Sequence, residues 1–132
     1  MFIPLKIAIP DADIPTVALS LHHDLDSSFH LRMGKALAPL RREGVLILGS
    51  GNSYHNLRAM QSGRESLESE SFDTWLTQAV EGDPRWRHEL FRNWRKAPHA
   101  LDAHPREEHL MPIFVTSGTA EDESGRRIFT DQ

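Results

Sequence analysis

Eight histidines and no cysteine occur among the 132 residues. Imidazole titrates near neutrality and is the commonest metal-binding side chain. With no thiolate available, any metal must be held by His, Asp or Glu. Two segments place histidine where chemistry is feasible. In Gly49-Ser50-Gly51-Asn52-Ser53-Tyr54-His55-Asn56-Leu57-Arg58, small residues follow an apolar run and leave room for a ligand. His55 there suits a base, an acid or a metal ligand, or a packing residue against the loop. The loop lacks a Gly-Lys-Ser/Thr ending and a complete G-x-G-x-x-G, so it is not a phosphate-binding loop. In His104-Pro105-Arg106-Glu107-Glu108-His109 the two histidines stand five apart and share a helix face less cleanly than residues three or four apart. No H-E-x-x-H is present, which removes the zinc-protease pattern.

The elements that must position these residues read as strand, helix, strand. Ile14 to Leu21 (IPTVALSL) alternates as a strand. Asp26-Ser27-Ser28 offers caps for a helix in which Phe29, Met33, Ala36, Leu37 and Leu40 form one stripe, with Pro39 near its end and Gly44 stopping it. Val45 to Gly49 (VLILG) is the continuous apolar run of a strand buried on both faces. This order predicts a βαβ unit with a parallel pair, and ligands gather at the carboxyl ends of such strands, where His55 lies. Gln61 to Ser71 reads as a polar loop, and Phe72 to Val80 as a helix. Asp83-Pro84 starts another helix whose stripe is Trp86, Leu90 and Trp94, widened by Phe91. A last helix is predicted to open at His104-Pro105, with Glu107 and Glu108 serving its dipole; a strand over 113–115 is the alternative. Ile128-Phe129-Thr130 reads as the start of a strand.

The net charge of −4 offers no basic field for nucleic acid. Arg85, Arg87, Arg92, Arg95 and Lys96 are offset by Glu81, Asp83 and Glu89. The apolar runs are too short to span a bilayer and no secretory leader is visible, which predicts a cytoplasmic protein without membrane contact. His30 reads as a packing residue; His22, His23, His88 and His99 read as surface positions.

Three stretches together resemble the DOPA-dioxygenase (LigB-like) type of class III extradiol ring-cleaving dioxygenases. They are Pro10-Asp11-Ala12-Asp13-Ile14-Pro15 running into Val17–Leu21; Gly44–Gly49 running into Ser50–Arg58; and Ala103-His104-Pro105-Arg106-Glu107-Glu108-His109-Leu110-Met111-Pro112. The resemblance implies an α/β fold, a central mostly parallel sheet flanked by helices, with residues 1–132 forming a single partial domain truncated at both ends. It implies ferrous iron in active protein, with zinc in some isolated preparations, and oxygen-dependent opening of a catechol or DOPA-like ring. Carried over by motif, His109 is a metal ligand, and His55 is the active-site acid–base group that also reaches the metal. His104 and Asn56 are assigned to the substrate. The family's other metal histidines and an Asp-His-Gly motif precede the matched stretches and have no counterpart here. The chain is therefore expected to be incomplete alone, working with a complementing N-terminal chain or as a homo-oligomer. Two readings compete: a non-catalytic remnant serving as a binding or oligomerisation module, and a zinc hydrolase using the same histidines.

Overall fold

The computed structural model describes residues 2–62 and 66–130. Among the described residues seven α-helices follow in order: α1 (Phe2–Ala8), α2 (Ser27–Arg42), α3 (Leu57–Ser62), α4 (Ser66–Glu81), α5 (Pro84–Arg92), α6 (Ala100–Ala103) and α7 (Met111–Ala120), with a 3₁₀ turn at Trp94–Lys96 between α5 and α6.

The capped helices form where their end residues direct. Asp26 adopts extended backbone before α2, and its carboxylate accepts from the Phe29 amide at 2.6 Å. Asp83 does the same for α5 with the Arg85 amide, and Pro84 occupies the first turn, where a missing N–H costs nothing. α2 and α7 pack more closely than ordinary side chains permit. A Cβ on Gly34 would stand 2.0 Å from the Val115 carbonyl oxygen, and one on Gly118 2.3 Å from that of Leu31. The two backbones therefore meet directly. Beside this crossing Phe72, Phe91, Trp94, Leu110, Met111 and Phe114 form the core.

Arg87 is 1% exposed, and its guanidinium donates to the carbonyls of Glu121 (2.9 Å) and Glu123 (2.6 Å) just beyond α7. A buried cation at the carbonyl end of a helix complements the helix dipole. The segment after α7 turns back onto α4: the Gly125 amide donates to Val80, and Arg127 pairs with Asp73 at 2.7 Å.

The expected parallel sheet is not formed. Among the described residues there is no strand, and the runs at 14–21 and 45–49 are irregular. A strand must pass its backbone hydrogen bonds to a neighbour, and neither run has one. Their side chains face solvent instead: Val17 is 93% exposed and Leu46 81%. Ile128 and Phe129 are likewise exposed and unpaired into any ladder.

The helix boundaries also need correcting. The polar stretch read as a loop over 61–71 is helical outside 63–65, which lie outside the described residues, because α4 begins at Ser66. The final helix starts at Met111 rather than at 104–105, with Pro112 in its first turn, where proline fits. Glu107 and Glu108 consequently precede that helix. The buried side of α5 is Arg87 and Phe91; Trp86 and Leu90 are exposed, and Trp94 is buried from the following turn.

Candidate metal centre

The site is built where the irregular segment 50–56 lies along the end of α6 and the irregular segment 104–110 that follows it. Several hydrogen bonds join them. The Asn52 amide donates to the His109 carbonyl (3.0 Å) and the His55 amide to that of Ala103 (2.9 Å). The Asn56 side-chain amide donates to Asp102 (2.8 Å) and the His104 ring to the Ser53 carbonyl (3.0 Å). Gly51 permits the approach, since a Cβ there would fall 2.2 Å from the His109 oxygen.

This seam brings together two histidines that stand far apart in the chain. The rings of His55 and His109 stack with centroids 3.6 Å apart and planes 29° from parallel. The Glu108 carboxylate joins them: one ligand atom from each of the three side chains lies within 4.8 Å of the others, and all three residues are half-buried. One Glu108 oxygen, Oε2, is buried without a hydrogen bond, 3.3 Å from Arg106 Nε. Arg106 already faces that oxygen, so the fit to a metal rests on the chemistry of the three side chains together. Two imidazoles and one carboxylate suit divalent iron, and zinc accepts the same atoms. The residues present thus fit a metal.

Glu108 is the member that sequence reasoning missed. Glu107 and Glu108 were both assigned to a helix dipole, and the structure separates them. Glu107 forms an ion pair with Arg95, while Glu108 turns to the histidines. The available signal was the carboxylate adjacent to a candidate ligand histidine.

His104 is fully buried. Burial holds its pKa below the ordinary histidine value, with the neighbouring His55 and His109 acting in the same direction. Asn56 lines a cleft with Tyr54, His55, Arg58, Arg106 and Glu108. A larger depression between α4 and 126–130 contains none of the histidines. Of the other histidines, His30 is buried, with Nδ1 2.7 Å from the Asp26 carbonyl, as a packing residue should be. His22, His23 and Asp24 form a second close group, but His23 and Asp24 are exposed, and the Asp24 carboxylate already pairs with His23 at 2.7 Å.

Stacked histidines with an adjacent carboxylate, held on two loops, define a candidate mononuclear metal site. The sequence comparisons place the chain in a family. Residues 1–131 match the family model described as the catalytic LigB subunit of aromatic ring-opening dioxygenase, and the chain belongs to that family. It is 37% identical to dioxygenase tasH of Hapsidospora irregularis, over 100% of this chain and 44% of that protein. It is also 37% identical to the 4,5-DOPA dioxygenase extradiol of Beta vulgaris, over 93% of this chain and 46% of the relative. The protein of that name from Escherichia coli (strain K12) is 32% identical, over 83% and 41%. The chain thus spans less than half the length of these curated relatives. No helix among the described residues is long and apolar enough to cross a membrane.

Proposed function

We propose that the chain is the C-terminal portion of an extradiol dioxygenase that opens a catechol or DOPA-like ring with Fe(II) and dioxygen. The observation that carries this reading is the convergence of His55, Glu108 and His109, in a chain of the LigB family. His109 and Glu108 would hold the metal, and His55 stands close enough to share it. Bound ferrous iron would supply the site for the catecholate and for oxygen activation. The protein's own part is proton handling and orientation. An imidazole nitrogen of His55 would take a proton from a catechol hydroxyl and hold it for return as the ring opens. The Asn56 side chain, fixed by its bond to the Asp102 carbonyl, sits on the cleft wall where the ring enters. His104 lies behind that wall. Zinc would occupy the same atoms without the redox chemistry.

The chain spans less than half of its relatives, and we place the remaining ligands outside residues 1–132, a complementing N-terminal chain or a second copy being the proposed sources. The compartment proposed is the cytoplasm. The uncovered apolar runs around Val17 and Leu46 favour a second reading, a non-catalytic binding or oligomerisation module.

Anaerobic calorimetry with Fe(II) tests the site. The chain is expected to bind one equivalent weakly, and His109→Ala and Glu108→Gln should each lose about tenfold or more in affinity. Unchanged affinity in both variants ends the metal-site reading. Slow or absent formation of yellow ring-opened product from DOPA by the chain alone is expected, and brisk turnover removes the need for a second polypeptide.

A further inference from the structure

His104 sits inside the seam rather than in the cleft. Its ring, fully buried, meets Phe72 edge-on at 5.3 Å and Trp94 at 6.3 Å between centroids. Phenylalanine would satisfy those neighbours without burying polar atoms, and a buried imidazole is costly unless it is bonded. The bond it makes is to the Ser53 carbonyl oxygen, 3.0 Å from Nε2. A carbonyl only accepts, so Nε2 carries the proton and Nδ1 is left with a lone pair. That Nδ1 is buried and has no partner. The ring is therefore oriented by the Ser53 bond together with its aromatic packing.

The placement of that bond matters. His104 belongs to the segment that ends in His109, while Ser53 belongs to the segment that carries His55 two residues later. The main-chain links His55–Ala103 and Asn52–His109 flank it. One side chain rooted in one loop thus grips the other loop from the side of the core aromatics.

We infer that His104 is a positioning residue: through its Nε2–H bond to Ser53 it sets the separation of the two loops and holds the His55 imidazole against that of His109. The loop geometry stands by itself; the consequence for metal binding rests on the proposed function.

The test compares His104→Gln, which keeps a donor at a similar reach, with His104→Phe, which keeps the ring and removes the donor. In NMR spectra of the full chain, the parent is expected to show ring–ring cross-peaks between His55 and His109, which the Gln variant retains. A folded Phe variant is expected to lose them, and its His55 amide to exchange about tenfold faster or more. Cobalt(II), followed by its visible absorption, should bind the Gln variant within about threefold of the parent and the Phe variant about tenfold more weakly or worse. A folded Phe variant that keeps both the cross-peaks and the cobalt affinity overturns the inference. Should the Phe variant fail to fold, ring nitrogen shifts of the parent and the Gln variant decide. A parent ring protonated on Nδ1, or a folded Gln variant without the cross-peaks, overturns it. If cobalt binds none of the proteins while the cross-peaks follow the donor, His104 keeps its role and the metal reading fails.

Discussion

The irregular runs around Val17 and Leu46 flank α2 in sequence, yet the crossing of α2 with α7 is their opposite in packing. In the crossing, Gly34 and Gly118 let two backbones meet with no side chain between them. In the runs, large aliphatic side chains lie open: Val17 is 93% and Leu46 81% exposed. The contrast follows from how backbone groups are satisfied. A helix bonds its own amides and then needs only one face covered, so helical parts of a domain can assemble locally. A strand leaves every amide to a neighbour. Where no neighbouring strand is present, the residues that should be innermost become the most exposed.

Four substitutions, at three places in the fold, press on this comparison. The largest effect is expected at the crossing. Gly118→Val puts a branched side chain where a single Cβ already clashes with Leu31 and Gly34. It should cost about 3 kcal/mol or more in urea unfolding, and a loss below about 1 kcal/mol would mean that the helices are not in contact.

An intermediate effect concerns pH. His88, on α5, lies beside the Ser117 backbone of α7, and burial, the first of its influences, lowers its pKa in the folded chain. The unfolded chain, with histidine near 6.5, then takes up the proton first. The stability due to His88 is complete above about pH 6.5 and falls as the pH drops below it. Melting temperatures measured from pH 7.5 down to about 5.5 should decline across that window, and His88→Gln should flatten the decline. A parent curve as flat as the variant's contradicts the assignment.

The smallest effect is expected in the open runs. Leu46→Ser and Val17→Ser should each change stability by no more than about 0.5 kcal/mol. A larger loss, or a change in mass by light scattering, would show that these runs are covered in solution by another polypeptide.

How much of this was legible depended on whether a signal was local. The caps at Asp26 and Asp83 act within three residues, so α2 and α5 could be read from the chain. The meeting of His55 and His109 is long-range, and only the motif resemblance suggested it. Strand signals at 14–21 and 45–49 are real in pattern, but a ladder depends on partners that periodicity does not report. The stripe Trp86, Leu90 and Trp94 was misjudged because Arg87, a charged residue, turns inward to the carbonyls beyond α7 and shifts the buried side of α5. Glu108 was passed over because a carboxylate near a presumed helix start had an adequate local explanation. The true start at Met111 removes that explanation.

The glycine contact between α2 and α7 also governs how the histidine pair can adapt. His109 lies two residues before Met111, the first residue of α7. With no interposed side chains to repack, that helix has little freedom to slide or tilt as a guest arrives. Accommodation must come from flexing of the two bonded loops, hinged on their hydrogen bonds, while the helix that follows His109 stays fixed.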